Sequence, residues 1–225
     1  MRPVERGAPP NAYTDYALAQ PDLIAVLGRY CSYCGRFIAE GIAVEHKRSK
    51  KRYLSERLLW PNFLLACSNC NSSKGHKKIR LNEFLWPDTD NTLRAICYAA
   101  GGVVRSSRLL PSRIRRRANK TIRLLGLDRQ PGGHHGVTDR DYRWLDRRNQ
   151  WDKAELFRQQ LLVYDTVAQR GAIIQAAQDG IFSVWWSVFA GDTDMRRRLR
   201  EAFPGTAGSC FDPNEDLLAR PGGQI

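Results

Sequence analysis

The chain has 225 residues, of which 42% are apolar, so it is long enough to bury a hydrophobic core and is not expected to be disordered throughout. Lys and Arg number 36 against 23 Asp and Glu, which gives a formal net charge of +13. Such a surface attracts polyanions, because clustered cations displace the counterions of phosphates, so nucleic acid is the expected partner. A protein that is merely basic and soluble remains the alternative until a site is identified.

The N-terminal 30 residues show no basic start followed by a continuous apolar stretch, so we expect no targeting segment and predict a cytoplasmic location. The longest apolar run, residues 181–190, is interrupted by serines and is too short to cross a bilayer core of roughly 30 Å. No membrane partner is therefore expected. Six cysteines in this setting favour metal binding over disulfides, and we interpret the two outside the paired motifs, Cys97 and Cys210, as ordinary thiols.

In the N-terminal half, residues 15–29 have apolar positions at helical spacing, with a break or restart expected at Pro21-Asp22. Residues 37–44 favour a short strand with a turn at 40–41, and this strand ends directly on Glu45-His46. A second extended piece is predicted over residues 58–62. A helix is predicted from about Cys70 to Gly75.

In the C-terminal half, residues 91–104 predict a hairpin that turns at 99–102. Between residues 105 and 148 there are 13 Arg or Lys against 4 Asp, and residues 112–125 predict a basic helix that ends at Gly126. Residues 130–136 indicate a linker. Two helices are expected at 151–169 and 172–190, followed by a tail rich in Pro and Gly.

Two CxxC motifs, Cys31 to Cys34 and Cys67 to Cys70, predict one tetrahedral zinc site, since each turn directs two thiolates toward one point. Four sulfur ligands leave no open coordination position, so the zinc should be structural and should hold the two ends of the intervening segment together. A pair of redox dithiols is the alternative, but two such pairs with a polar insert do not resemble a thioredoxin arrangement.

The segment between the two CxxC motifs contains groups suited to phosphodiester hydrolysis. His46 can serve as the base for water, because an imidazole titrates near neutral pH. The Glu45 carboxylate and the Asn71 amide oxygen, just past the second motif, are hard ligands suited to one Mg²⁺ or Mn²⁺ beside a phosphate. Few other acidic residues lie nearby, so we expect a single catalytic metal.

The order of these residues resembles the HNH nuclease superfamily, in its branch with CxxC zinc motifs. The resemblance rests on Val44-Glu45-His46, on Trp60-Pro61-Asn62 followed by Phe63-Leu64-Leu65-Ala66-Cys67, and on Cys70-Asn71 with Lys74-Gly75. It implies a ββα-metal module in which His46 is the base and Glu45 and Asn71 are metal ligands. It also implies that Asn62 is a structural amide that steadies the loop bearing His46.

Two positions depart from the family pattern. Glu45 replaces the commoner Asp, and Ser49 stands where Pro is usual, which should loosen the loop after His46. The chain is especially similar to HNH subunits of bacterial anti-phage systems, of the Septu and retron-associated types. That narrower resemblance rests partly on residues 85–91, Leu-Trp-Pro-Asp-Thr-Asp-Asn, and it implies an ATPase partner.

Basic side chains follow His46 closely and form a candidate nucleic-acid contact. They are Lys47, Arg48, Lys50, Lys51, Arg52 and, one helical turn after Asn71, Lys74. The alternative for the loop residues is a solvated hairpin loop, since runs of charge are often just solvated. We regard the two interpretations of the loop as equally supported by the sequence, and favour phosphate contact for Lys74.

These observations predict an α+β protein: an N-terminal helical segment (1–28), an HNH module (29–80), a basic hairpin-helix extension (81–148) and a helical C-terminal region (149–225). The predicted function is metal-dependent endonuclease, with DNA favoured over RNA by resemblance only. The alternatives are a non-catalytic zinc domain that binds nucleic acid and an adaptor for an ATPase. We also hypothesise that the region from roughly Trp151 to Phe203, which contains the apolar run from Ile181 to Phe189, docks this partner; an ordinary buried helix is the alternative for that run.

Overall fold

A computed structural model describes all 225 residues and shows the α+β architecture that the sequence predicts. Two small antiparallel hairpins are embedded among eight helices. The strands are β1 (Ala43–His46), β2 (Phe63–Ala66), β3 (Ile96–Ala99) and β4 (Val103–Ser106). The helices are α1 (Ala19–Leu27), α2 (Ser68–Lys74), α3 (Thr92–Ala95), α4 (Ser112–Leu124), α5 (Arg143–Val163), α6 (Val167–Gln178), α7 (Phe182–Val188) and α8 (Thr193–Ala202). None of these helices combines the length and apolar character needed to cross a membrane.

The first hairpin positions the chemistry-bearing residues. Strand β1 pairs with β2 so that Glu45 lies opposite Leu64 and His46 opposite Phe63. The prediction that Glu45-His46 closes a strand is confirmed, although the strand begins only at Ala43. The second extended piece lies at 63–66 instead of 58–62, because all four of its side chains are buried and residues 60–62 form a 3₁₀ turn.

Helices α1 and α2 flank this hairpin. Pro21 does not break α1, because it lies in the first turn, where backbone N–H groups lack helical partners in any case. Helix α2 starts at Ser68, directly after the second CxxC motif begins, and ends as predicted at Gly75, which has a positive φ of 55°.

The second hairpin and the basic helix α4 occur where the sequence predicts them, except that residues 92–95, expected in the first strand, form the short helix α3, and the second strand extends to Ser106. Strands β3 and β4 pair with Ala99 opposite Val103, and the turn between them packs against α5. Gly102 in this turn has a φ of 73°, and a Cβ there would lie 2.2 Å from the carbonyl oxygen of Trp144. Only glycine therefore permits this contact between the hairpin and α5.

The C-terminal region has four helices where the sequence predicts two. Helix α5 begins at Arg143, eight residues earlier than expected, and ends before Thr166, whose hydroxyl accepts a hydrogen bond from Gln169 N at the start of α6. Asp192 caps α8 in the same way by accepting from Met195 N. These two capping residues are the start signals that the interpretation of this region missed.

The apolar run in α7 is core. Seven of its large side chains are buried within the chain. Ile181 and Val184 belong to a hydrophobic cluster of 33 residues, and the other five belong to a second cluster of 17 residues: Phe182, Trp185, Trp186, Val188 and Phe189. The run is therefore buried in the chain's own core, in agreement with the alternative for it, whereas docking of a partner by the wider region from about Trp151 to Phe203 stays a prediction. The cluster of 33 residues joins both termini, the first hairpin and α4.

Both chain ends converge on residues 84–91. Near the N-terminus, Val4 N donates to the Pro87 carbonyl oxygen at 2.7 Å. At the other end, Asn91 N donates to the carbonyl oxygen of Ile225 at 2.9 Å. The stretch 85–91, which contributed to the narrower resemblance, is thus the point where the first hairpin and the two termini are joined.

Candidate active site

The four cysteines of the CxxC motifs meet in one buried cluster. Their sulfur atoms all lie within 4.8 Å of one another, and none forms a disulfide. The Sγ atoms of Cys34 and Cys67 are 3.7 Å apart. A tetrahedral zinc with Zn–S bonds of about 2.3 Å separates its sulfurs by about 3.8 Å, so the cluster has the dimensions of such a site. The predicted convergence of Cys31, Cys34, Cys67 and Cys70 is confirmed.

The protonation of the cluster also fits a metal. Hydrogen bonds from the neighbouring thiols lower the pKa of Cys67, whereas burial raises the pKa of Cys70 well above its usual range. Four sulfurs this close cannot all be ionised unless a positive charge compensates them. A bound metal cation supplies that charge and displaces the thiol protons. The cluster therefore fits a structural zinc that fastens the start of the module, at Cys31, to the N-terminus of α2.

His46 ends β1 with its imidazole held in one orientation. Its Nε2 lies 2.9 Å from the carbonyl oxygen of Arg57, which can only accept, so Nε2 carries the proton and the lone pair resides on Nδ1. Tyr16 and Phe63 contact the ring edge to face, at centroid distances of 5.0 and 5.1 Å. Burial lowers the pKa of His46, so the ring is neutral at pH 7 and able to accept a proton.

Glu45 is buried beside His46 and has protein partners on both oxygens. Lys74 Nζ lies 2.7 Å from Oε1, and the Tyr33 hydroxyl donates to Oε2 at 2.5 Å. Burial raises the pKa of Glu45, and the Lys74 ammonium opposes that shift. Each carboxylate oxygen has two acceptor positions, so these contacts occupy one position on each oxygen and leave the others for a further ligand.

Asn62 clasps the loop that follows His46. Its Oδ1 accepts from Arg48 N at 2.7 Å, and its Nδ2 donates to the carbonyl oxygens of Arg48 at 3.0 Å and Glu56 at 3.1 Å. The backbone adds a bond from Lys47 N to the Asn62 carbonyl oxygen at 2.9 Å. These contacts fit the steadying role that the resemblance implies for Asn62.

Glu45, His46 and Asn71 line one surface cavity of about 430 Å³. The cavity also contains two residues that the sequence interpretation had not placed there. Tyr16 comes from the turn before α1, and His76 comes from the chain just after α2, with its Nδ1 3.1 Å from Ser49 Oγ. Ser49, expected to loosen the loop, is buried and binds His76 instead. The signal for His76 was the glycine at 75, which turns the chain back toward the cavity.

The predicted basic contacts divide into two groups. Lys47 and Lys74 are buried, the first paired with Asp88 at 2.5 Å and the second with Glu45. Arg48 pairs with Glu56, and Lys50 lies over the Tyr16 ring with its ammonium 3.4 Å from the centroid, at the cavity. Lys51 and Arg52 are exposed. Four of the six cations are therefore at least partly exposed, whereas Lys47 and Lys74 are buried against carboxylates.

With this geometry in place, comparison with known families gives one match. Residues 31–77 match the family model described as HNH endonuclease. This segment is similar to HNH endonuclease domains, and residues 31–77 are called the HNH domain after that match. No curated protein matches the chain significantly.

The HNH domain contains the cysteine cluster, Glu45, His46, Asn62 and Asn71. Residues outside the domain also contact these side chains or their neighbours. Tyr16, which contacts the His46 ring, and Asp88, which pairs with Lys47, both come from outside it. The cavity that contains the candidate catalytic residues is therefore completed by the surrounding chain.

Proposed function

We propose that this protein is a metal-dependent endonuclease that hydrolyses phosphodiester bonds of nucleic acid, with DNA as the preferred substrate. The observation that carries the proposal is His46: a neutral imidazole, fixed through Nε2 and lining a cavity with two oxygen ligands, within a domain that matches HNH endonucleases. The net charge of +13 supplies the general attraction for a polyanion.

In the proposed reaction, His46 Nδ1 takes a proton from the water that attacks phosphorus. The Arg57 carbonyl supports this role in two ways. It fixes the tautomer of the neutral ring, and its hydrogen bond from Nε2–H becomes stronger once the ring is an imidazolium. Tyr16 and Phe63 limit rotation of the ring. Asn62 keeps the chain after His46 in place, so that the base does not have to be ordered when substrate binds.

Glu45 and Asn71 are the proposed ligands of one Mg²⁺ or Mn²⁺. Both offer hard oxygen donors to the cavity, and the free acceptor positions of Glu45 suit a cation that keeps several of its waters. When bound, the cation stabilises negative charge on the scissile phosphate and the leaving oxygen. Lys74 orients Glu45 and also donates to the His46 carbonyl oxygen at 2.6 Å, so one ammonium holds ligand and base together.

The experiment is cleavage of a panel of DNA and RNA substrates with Mg²⁺ or Mn²⁺, comparing the wild type with His46→Ala. The variant should cut on the order of 10²- to 10⁴-fold more slowly while binding nucleic acid as before. His135→Ala is the matched control, because His135 is exposed, pairs with Asp128 and does not line the cavity. Equal cleavage by wild type and His46→Ala contradicts the assignment of the base.

A second candidate function is binding of nucleic acid without cleavage. The observation in its favour is the pair of internal contacts on Glu45, since a carboxylate already bonded to Lys74 and Tyr33 is a weaker metal ligand. Binding with no cleavage on any substrate, in either metal, would support this candidate. The nuclease proposal is supported if Glu45→Gln and Asn71→Ala both lose cleavage in Mg²⁺ and partly regain it in excess Mn²⁺.

We further propose that the nuclease is the effector of an anti-phage system that works beside an ATPase subunit. The proposal rests on the resemblance of the HNH motif and of residues 85–91 to such subunits. Since α7 is buried, the surface to test is the corner between α5 and α6, where Leu162, Val163, Tyr164 and Val167 are exposed. Co-purification with an ATPase subunit of the kind that the resemblance implies, using the wild type and a Leu162→Ser/Val167→Ser variant, tests it. Retained binding by the variant contradicts docking at this corner.

A further inference from the structure

A buried arginine from outside the HNH domain touches the cysteine cluster. Arg143, the first residue of α5, is 2% exposed, and its Nη1 donates to Cys70 Sγ at 2.9 Å. Arg143 lies within the basic segment 105–148, and arginine side chains are mostly exposed in folded proteins. Its side chain instead faces the interior. A buried cation this close to a sulfur is costly unless something compensates its charge.

All five N–H donors of the Arg143 guanidinium have acceptors. Nε and Nη2 donate to the two carboxylate oxygens of Asp141 at 2.8 and 2.6 Å. The remaining donors reach the Leu125 carbonyl oxygen, the Gly126 carbonyl oxygen and Cys70 Sγ, each at 2.9 Å. Every donor of the planar guanidinium is thus hydrogen-bonded. Its position relative to Cys70 is fixed by the chain after α4, through Leu125 and Gly126, as well as by α5.

The charge at this position complements a metal site. Four thiolates around Zn²⁺ carry a net charge of about −2 in a buried environment, which favours nearby cations. Asp141 neutralises part of the Arg143 charge, but Asp141 also pairs with Arg129 at 3.2 Å, so the group as a whole stays cationic. Arg129 in turn donates to Ser73 Oγ on α2 at 3.2 Å.

We propose that Arg143 is a positioning residue of the zinc centre, and that zinc occupancy locks α5 and the chain after α4 onto the HNH domain. Arg143 neutralises and orients the Cys70 thiolate, and the bound zinc keeps that thiolate in place for Arg143. Cys70 directly precedes Asn71 in α2, so the same contact fixes the helix that bears the proposed metal ligand. The inference concerns zinc and does not depend on nuclease activity.

The first test is zinc release from Arg143→Gln, measured with a chelating dye in excess. The variant should bind zinc about 10- to 100-fold more weakly than the wild type, the usual cost of losing a partner that orients a metal ligand. Arg147→Gln is the control: Arg147 is one turn further along α5 and equally buried, but it donates to Gly102, Leu127 and Gln130 and forms no hydrogen bond with a cysteine. Equal zinc release from wild type and Arg143→Gln, or equal weakening by the two variants, overturns the proposal.

The second test uses wild-type protein, so it is informative even where Arg143→Gln does not fold. Hydrogen exchange is compared before and after zinc is removed with a chelator. Exchange should rise at residues 125–127 and in the first two turns of α5, and α8 should change least, since it lies in the separate C-terminal cluster. Unchanged exchange at 125–127 and at the start of α5 overturns the coupling. Neither test has cleavage as its readout, so a failed nuclease assignment leaves both tests valid.

Discussion

The HNH domain and the chain that surrounds it are built on different principles. Within residues 31–77, the functional groups are neighbours in sequence, and a short hairpin, one helix and four cysteines hold them. The surrounding chain contributes single residues over long separations: Asp88 pairs with Lys47, and Arg143 with Cys70. The motif therefore brings the candidate catalytic groups together, whereas the rest of the chain provides buried charges and packing around them.

The largest expected effect on this comparison comes from removing the zinc. Each chain should contain one zinc, and Cys67→Ser or chelation should unfold the HNH domain, since apparent binding energies at structural zinc sites reach about 10–16 kcal/mol at pH 7. Metal analysis and thermal unfolding measure this. Cys97→Ser is the control, because Cys97 lies outside the cluster. The Cys97→Ser protein should therefore keep its zinc. A zinc-free wild type, or a Cys67→Ser variant as stable as wild type, contradicts the structural role.

The next largest effect concerns Asp88, which lies outside the HNH domain and pairs with Lys47 inside it. Asp88→Asn should lower the free energy of unfolding by about 3–5 kcal/mol, because it leaves the buried cations Arg6 and Lys47 without their counterion. Urea unfolding measures the loss. Glu83→Gln is the matched control: its ion pair with Lys120 is exposed to solvent and should contribute little to stability. Similar losses in the two variants would mean that the buried pair contributes no more than a surface one.

The third effect lies in the C-terminal region. Trp185 is fully buried, stacks on Phe189 and donates to Gln150 Oε1 at 2.7 Å. Trp185→Ala should therefore cost about 3–5 kcal/mol of stability, whereas Leu162→Ala, on the exposed corner, should change it by no more than about 0.5 kcal/mol. Calorimetry distinguishes them. A Trp185→Ala variant of wild-type stability would show that α7 is not core and would restore the docking hypothesis for that helix.

Local signals in the sequence predicted much of the molecule. The two CxxC motifs, the hairpin at 96–106, the basic helix α4 and the position of Glu45-His46 at a strand end all depend on spacing within a few residues. The second strand was misplaced because Phe63-Leu64-Leu65-Ala66 is buried on both faces and lacks the alternation that identifies a half-exposed strand.

The rest of the site depends on contacts between distant residues. A sequence of this kind does not reveal that Tyr33 donates to Glu45, or that Lys74 is buried with its ammonium against the same carboxylate. Both contacts arise from the packing of α2 and the first CxxC turn against β1. Likewise Arg143 and Arg147, counted as surface charge, are buried because α5 begins earlier than its apolar pattern indicates.

The smallest expected effect concerns the basic helix α4, where Arg113, Arg115, Arg116 and Arg123 are exposed and have no carboxylate partner. This helix lies beside the chain that leaves α2, since Lys120 and Arg80 share the carboxylate of Glu83. We expect its free arginines to contact the phosphates of bound nucleic acid, each adding about 0.9 to the slope of log affinity against log salt on duplex DNA.

Changing these four arginines to Gln should lower that slope by up to about 3.6, measured by fluorescence anisotropy over a range of salt. The matched control removes the same charge from Arg148, Arg158, Arg197 and Arg198, each of which pairs with a carboxylate on its own helix. Those arginines already have a counterion, so the control should change the slope much less. Equal changes in the two variants would mean that nucleic acid responds to total charge and that α4 is no specific part of the binding surface.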